Sequence, residues 1–313
     1  MAQLRDLKRR IKSVRNTIKI TRTMELVATA RAKQNQDRLH GAQPYFETLA
    51  SIAREVGRHA SGGEGDDGAP AHPLLEQRDR VERVALLLVT ADRGFCGGYN
   101  SNVIGLAVRR AEEERAAGRE VDLYVSGRKG VSALRFRHVE TAGKWLTIGD
   151  RPSFESVVEI ADHLAREFRE GNVDRVEVAY WHYYTAGRQR PEIEQVLPFR
   201  GDDEAGDAEG GEGEAEKKPS APSVPPTGDL IIEPDADQII SSVIPLRYRT
   251  NIFRIFLEAA ASEQLARRAA MKAATDNGSE MAKILTGKYN RARQAQITTE
   301  ILEIMGGAEA LKG

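Results

Sequence analysis

The sequence predicts a small, mostly parallel α/β domain inserted between two long helices, one at each end of the chain. Three observations lead to this fold class. Apolar residues recur at helical spacing through roughly residues 4–56 and 235–305. Between them, short apolar runs alternate with helical stretches, as in a Rossmann-like sheet covered on both faces. Charged residues make up 30% and aromatic residues 6% of the chain, a balance typical of long, exposed helices.

The N-terminal helix is predicted over residues 1–57. Leu4, Leu7, Ile11, Val14 and Ile18 step by three and four residues, which is the spacing of a coiled-coil seam. Because the chain leaves along this helix and returns along the last one, we predict that the two helices pair as an antiparallel coiled coil.

The seam of this helix is expected to weaken further along. The same register next reaches Thr21, Glu25 and Ala28, where large apolar side chains are absent. We therefore expect the apolar stripe to move to Ile20, Met24 and Val27, so that the coiled coil slips. Pro44 is expected to kink the helix or to start a new one.

The middle of the chain, residues 80–200, carries the predicted α/β domain. It follows residues 58–79, where Gly, Asp and Pro predict a flexible loop. Apolar and β-branched runs predict four strands: 84–89, 121–125, 176–184 and 192–198. Three helical stretches are predicted between them: 101–117, 128–135 and 154–169, the last capped by Ser153.

The remaining third of the chain begins with residues 201–227, which are acidic and then Pro-rich and predict a disordered surface insertion. Residues 228–234 are expected to return to the sheet as a strand. The C-terminal helix then occupies 235–313, with a kink at Pro245 and an end at Gly306-Gly307. At about 1.5 Å per residue it is longer than the first helix, so we expect it to extend beyond its partner.

Charge is separated along the chain although the net charge is −1. Residues 1–40 hold eleven Lys or Arg against three acids, a net of +8, and residues 201–216 carry −8. Such a basic helix suits a nucleic acid, an anionic membrane surface or an acidic protein sleeve. Its lack of aromatic residues weakens the case for nucleic acid. Cys96 is the only cysteine, which excludes an intrachain disulfide and favours a reducing compartment.

The nonapeptide Asp92 to Asn100 follows a strand and opens a helix, where phosphate-binding loops lie. Its glycines at 94, 97 and 98 do not have the spacing of the dinucleotide fingerprint, and no P-loop pattern is present. A nucleotide-using α/β enzyme with a helical arm therefore stays an alternative, as does a basic coiled-coil adaptor for nucleic acid. The sequence offers no catalytic set of residues, no metal-ligand spacing and no cofactor motif.

Three separated segments resemble the gamma subunit family of F-type ATP synthases. They are residues 11–28, the nonapeptide 92–100, and the C-terminal stretches 270–277, 289–300 and 303–307. The nonapeptide departs from the family pattern, which has Leu where this chain has Phe95. The insertion 201–227 is also longer than the resemblance leads us to expect.

The resemblance implies a non-catalytic rotor subunit without a cofactor. Its helices would turn inside a ring of alpha and beta subunits, and its α/β domain would form a foot on the epsilon subunit and the membrane c-ring. Proton flow through the membrane ring would drive ATP synthesis, with the chain held by its partners on the cytoplasmic face of the cell membrane. It would bind no nucleic acid and would touch the membrane only through partner subunits.

The resemblance also carries over six interaction positions. The contacts of the shaft with the alpha/beta ring fall on Met24, Arg267, Gln294, Thr298 and Glu300. The contact in the foot falls on Glu233.

Overall fold

The computed structural model describes residues 2–60, 72–78, 80–146, 148–199 and 236–310. The chain falls into two compact units, which we call the helical unit and the sheet unit. The helical unit comprises Met1–Ala30, Phe95–Gly97 and Ala266–Gly313, and the sheet unit comprises Arg31–Gly94 and Gly98–Leu265. The predicted insertion 201–227 and return strand 228–234 lie outside the described residues.

The described residues form five α-helices and five strands. In chain order they are α1 (Ala2–Ala60), β1 (Arg83–Val89), α2 (Tyr99–Ala116), β2 (Glu120–Ser126), α3 (Arg128–Phe136), β3 (Gly143–Trp145), α4 (Phe154–Arg169), β4 (Arg175–Thr185), β5 (Arg188–Leu197) and α5 (Ala236–Ala310). The four predicted strands and the helices between them are confirmed. The short strand β3 and a 3₁₀ helix at Pro73–Leu75 are additional.

The five strands form one sheet in the order β3-β2-β1-β4-β5. β1 pairs in parallel with β2 and β4, and β2 pairs in parallel with β3. β5 alone runs antiparallel, beside β4, because a short turn at Ala186 and Gly187 reverses the chain. The prediction of a mostly parallel sheet is therefore confirmed.

The central strand β1 is buried from Val84 to Val89 because helices cover both faces of the sheet. Leu87 and Val89 belong to a core cluster that includes residues of α4 and α5. Leu86 and Leu88 belong to a second cluster with residues of α2 and α3. This three-layer arrangement explains why the strand is an uninterrupted apolar run.

In the helical unit, the seam of α1 keeps its register, and the predicted move of the apolar stripe is wrong. Thr21 and Ala28 continue the seam and are 9% and 1% exposed, whereas Ile20 and Val27 are 61% and 47% exposed. The polar position is satisfied across the seam, since the hydroxyl oxygens of Thr21 and Thr275 lie 2.8 Å apart. Small and hydroxyl side chains therefore occupy the buried seam positions at which large apolar residues were expected.

α5 approaches α1 closely at Gly278, where no side chain separates the two helices. A Cβ built on Gly278 would lie 2.9 Å from Cγ1 of Ile18. Together with the Thr21–Thr275 contact, this pair sets an antiparallel register that brings the start of α1 level with residues near Gln294. Residues 297–306 are all exposed. The end of α5 therefore extends beyond α1, as the helix lengths predict.

Both long helices continue through their prolines, so the alternative that Pro44 starts a new helix is wrong. Pro44 lies inside α1 and Pro245 inside α5. α5 also continues to Ala310, so the predicted end at Gly306-Gly307 is wrong. Glycine ends a helix by taking a left-handed backbone conformation, and Gly306 is not among the glycines with a positive φ. Among the described residues, no helix combines the length and apolar character that crossing a membrane requires.

Candidate functional site

The first turns of α1 present an exposed basic surface. Eight basic side chains of the helix are exposed: Arg5, Lys8, Arg9, Arg10, Lys12, Arg15, Lys19 and Arg22. Asp6 pairs with Arg9 at 2.9 Å and with Arg10 at 2.8 Å. Exposed pairs of this kind contribute at most about 1 kcal/mol and do not remove the excess of positive charge. The surface is therefore suited to an acidic partner.

Two of the predicted interaction residues are not free surface positions. Met24 is half-buried on α1, while its neighbours Leu26 and Val27 are exposed. Arg267 lies on α5 and is 7% exposed, so little of its side chain is accessible. Glu233, predicted to lie in the foot, falls outside the described residues.

The other three predicted residues lie together on the exposed end of α5. The Thr298 hydroxyl donates to the carbonyl oxygen of Gln294 at 3.0 Å, and Glu300 accepts from Nε2 of Gln296 at 2.8 Å. Large apolar side chains are exposed on the same segment, which we call the apolar end of α5: Ile297, Ile301, Leu302, Ile304 and Met305. A contiguous exposed apolar surface of this kind is typical of a protein interface.

The N-terminus of α3, which contacts the start of the glycine-containing nonapeptide, does not form a phosphate site. The backbone N–H groups that open α3 are already occupied, since Arg128 donates to the Asp92 carboxylate at 2.9 Å and Gly130 donates to the Thr90 hydroxyl at 2.9 Å. Lys129 donates to a carbonyl of the same loop. An anion at this helix N-terminus would need those groups unpaired.

α5 covers the carboxyl ends of the parallel strands, where a nucleotide would bind in a Rossmann-like domain. The Tyr99 hydroxyl donates to the carbonyl oxygen of Ala259 at 3.0 Å. The cavity that remains beside Phe256 and Ala260 has a volume of about 20 Å³. A small-molecule site needs roughly 300 Å³ or more. The geometry therefore gives a nucleotide-using enzyme no site at this edge. Among the described residues, no three His, Cys, Asp or Glu side chains are grouped as metal ligands.

A polar network fixes α5 to strands β4 and β5 inside the sheet unit. Arg254 of α5 contacts both carboxylate oxygens of Glu194 at 2.6 and 2.7 Å and one oxygen of Glu258 at 2.6 Å. The Tyr180 hydroxyl donates to Glu194 at 2.6 Å. Glu258 also pairs with Nδ1 of His182 at 2.8 Å. We call these five residues the Arg254 network.

The charges of the Arg254 network shift the pKa values of its members. Burial alone would raise the pKa of Glu194, but Arg254 outweighs it and the pKa is lowered. Burial alone would lower the pKa of His182, but its hydrogen bond with Glu258 and the charge of that carboxylate outweigh it and raise the pKa. Both residues therefore favour their charged forms in the folded chain.

The later part of α1 is held to the same unit by contacts with the loop after β3. Arg31 pairs with Asp150 at 2.5 Å, and Arg38 donates to the carbonyl oxygen of Pro152 at 2.6 Å. Asn35 donates to the carbonyl oxygen of Ala260 on α5 at 3.2 Å. Both long helices are thus joined by polar contacts to the sheet unit.

Sequence reasoning missed the Arg254 network because its members come from three elements. One signal was present on α5, where Arg254 and Glu258 stand four residues apart and face the same side. The other was the alternation of polar residues on the strands, with Tyr180 and His182 on one face of β4. Nothing in the sequence indicates that these two faces meet.

Comparison with known families matches residues 3–311 to the family described as ATP synthase. Proteins named ATP synthase gamma chain are similar over the whole length. That of Leptospira biflexa serovar Patoc is 39% identical over 311 residues, covering 99% of this chain and 100% of its own. That of Rhodopirellula baltica is 39% identical over 313 residues, covering 100% of both chains.

Solved structures resemble the chain in fold. A chain in the OSCP/F1/c-ring structure of the Euglena gracilis mitochondrial ATP synthase matches with a TM-score of 0.65 at 20% identity, covering 99% of this chain and 95% of its own. A chain in the rotor structure of the same complex matches with a TM-score of 0.61 at 18% identity, covering 95% of this chain and 99% of its own.

Proposed function

This chain belongs to the ATP synthase gamma chain family, and from that premise we propose that it is the central rotor shaft of an F-type ATP synthase. It transmits the rotation of a proton-driven membrane ring to the catalytic alpha and beta subunits. It carries out no chemistry itself. Its partners are the alpha, beta and epsilon subunits and the membrane c-ring.

The observation that supports this role best is the apolar end of α5. Ile301, Ile304 and Met305 are 51%, 72% and 61% exposed within a segment where five large apolar side chains are exposed. A solvent-exposed apolar helix end is costly unless a partner covers it. We assign that cover to the alpha/beta ring, which also places Gln294, Thr298 and Glu300 at the interface. Met24 and Arg267 are proposed as further contacts of the shaft, and Glu233 as a contact of the foot.

The exposed basic surface of α1 supports an acidic protein partner over nucleic acid. Residues 1–40 contain no Phe, Tyr or Trp on which bases could stack. We place the chain on the cytoplasmic face of the cell membrane, held there by its partner subunits. The bacterial origin of the similar gamma chains supports that location.

Reconstitution with alpha and beta subunits of the same organism tests the proposal. We expect a stable complex with a single copy of this chain in each alpha/beta ring, and ATP hydrolysis that depends on its presence. Mass measurement and a hydrolysis assay on the same preparation give both results. A chain that forms no complex, or that binds DNA or RNA in a salt-sensitive manner on its own, contradicts the proposal.

A further inference from the structure

α5 is one continuous helix that takes part in both units. Its residues up to Leu265 belong to the sheet unit, and those from Ala266 belong to the helical unit. If the chain is a rotor shaft, torque that enters at the sheet unit must reach α5 through the contacts that hold this helix on the sheet. The inference below rests on that proposed function.

Apolar packing alone is a poor means of transmitting torque to a helix. The hydrophobic effect is non-directional, so apolar contacts specify the rotational angle of a helix less sharply than hydrogen bonds do. Hydrogen bonds between charged groups depend on angle, and a guanidinium whose Nε, Nη1 and Nη2 each donate to a different residue is held in one orientation. Such hydrogen bonds therefore fix the rotation of a helix about its own axis.

The Arg254 network has the geometry to fix that angle. Asn251, Arg254 and Glu258 follow one another at three and four residues and therefore share one face of α5. Asn251 donates to Glu194 at 3.1 Å, and its amide oxygen accepts from Nε of Arg254 at 3.0 Å. Glu258 accepts from the backbone N–H of Tyr183 at 3.1 Å. Turning α5 breaks these contacts together, because they all lie on that face.

We propose that Arg254, Glu194 and Glu258 are torque-bearing positioning residues, which lock the rotational setting of α5 on strands β4 and β5. The pair Arg249–Asp162 joins α5 to α4 through two hydrogen bonds of 2.7 and 3.1 Å, but its side chains are 38% and 40% exposed, against 22% for Arg254 and 6% for Glu258. Since water screens it, this second pair contributes less and serves as a matched control.

The test uses the whole ATP synthase, reconstituted in lipid vesicles with its membrane ring. Arg254→Gln and Glu258→Gln should assemble and hydrolyse ATP at the normal rate in the isolated alpha/beta complex, because hydrolysis there needs only the shaft. In vesicles we expect the ratio of protons pumped to ATP hydrolysed to fall by about two-fold or more, since a charged partner is lost from a partly buried network. Arg249→Gln should leave that ratio near the unaltered value.

A cross-linking variant separates torque from folding. Cysteines are placed at both ends of the ion pair, as Arg254→Cys with Glu194→Cys in a Cys96→Ala background. The pumping ratio should be low before a short bismaleimide joins the thiols and should recover afterwards in the same preparation.

Unchanged pumping in Arg254→Gln and in the unlinked cysteine variant would overturn the inference while leaving the shaft role intact. Loss of assembly in every variant would overturn it too, because the contacts would then serve the fold alone. Failure of the unaltered chain to assemble or to support pumping would instead contradict the proposed function.

Discussion

Gly278 sets the spacing of the two helices in the helical unit. A methyl group at this position would come within 2.9 Å of Ile18, whose β-branched side chain has little freedom to move away. Gly287 lies on the same helix, and a Cβ built there meets nothing within 4 Å. Comparing substitutions at the two glycines therefore separates the effect of helix packing on stability from the effect of helix propensity.

We expect Gly287→Ala to raise the free energy of unfolding by about 0.5–1 kcal/mol, because alanine favours the helix. Gly278→Ala should lack this gain and lose about 1–3 kcal/mol through overpacking against Ile18. Urea unfolding of both variants followed by circular dichroism measures the difference. Equal stabilisation by the two substitutions would show that the helices do not meet closely at Gly278.

His182 gives the sheet unit a pH-dependent contact. Its pKa is raised above the ordinary 6.5, since the hydrogen bond and charge of Glu258, with a smaller effect of Glu192, outweigh burial and the nearby Arg254. A group with a raised folded-state pKa stabilises the fold in full below the unfolded-state pKa. That stabilisation is lost as the pH rises through the folded-state pKa.

The stability advantage of the unaltered chain over His182→Gln should therefore be largest near about pH 6 and should decline above it. Urea unfolding of the two proteins across this range measures the change. In a Glu258→Gln background the trend should reverse, because burial and Arg254, which lower the pKa of His182, are no longer outweighed. With Glu258 in place, an advantage that grows with pH would contradict the ion pair.

At the scale of the elements, α4 shows how a local signal fixes a boundary. Ser153 lies before the helix in extended conformation, and its side chain accepts a hydrogen bond from the backbone N–H of Ser156. That bond satisfies one of the N–H groups which every helix start leaves unpaired. The boundary was therefore predictable from the residue type.

Replacing this cap should destabilise the sheet unit. Ser153→Ala is expected to lower the free energy of unfolding by about 1 kcal/mol. Ser241 is an exposed serine inside α5, so Ser241→Ala is a control that should be neutral or slightly stabilising. Thermal unfolding of the two variants compares them directly. An equal effect at both positions would rule out a capping role for Ser153.

The elements also show where sequence reasoning stops. β1 and α4 were predicted because their residues repeat with one clear period and carry caps or apolar runs. β3 was missed because three residues, one of them Lys144, show no period. The seam of α1 was misjudged at Thr21 because burial there depends on Thr275, more than two hundred residues away. Within the candidate site, the exposed residues of α5 were predicted from a sequence motif. The Arg254 network could be identified only from the structure, because it joins residues of β4, β5 and α5.

At the scale of the whole molecule, the apolar end of α5 should decide assembly. Ile301→Asp with Ile304→Asp is expected to weaken binding to the alpha and beta subunits by more than about ten-fold, since burying two carboxylates in an apolar contact costs several kcal/mol. Unfolding of the isolated chain should hardly change, because both side chains are exposed.

Phe136 provides the matched control for that experiment. It lies at the end of α3 in the sheet unit and is 86% exposed. Phe136→Asp should leave the affinity for the alpha and beta subunits unchanged. Surface plasmon resonance and titration calorimetry both measure this affinity. Equal loss of binding in the two proteins would argue against the apolar end of α5 as the interface.

The contact between Thr21 and Thr275 has a consequence for how the chain is made. These residues are 254 positions apart, so the N-terminal half of α1 cannot meet its partner on α5 until almost the whole chain has been synthesised. Closing such a loop in an unfolded chain costs more entropy than any single contact returns. The sheet unit, which holds Asn35 and Ala260 together, shortens the loop before the seam forms. Until then, the apolar seam of the N-terminal half of α1 stays exposed, which makes the nascent chain prone to aggregation.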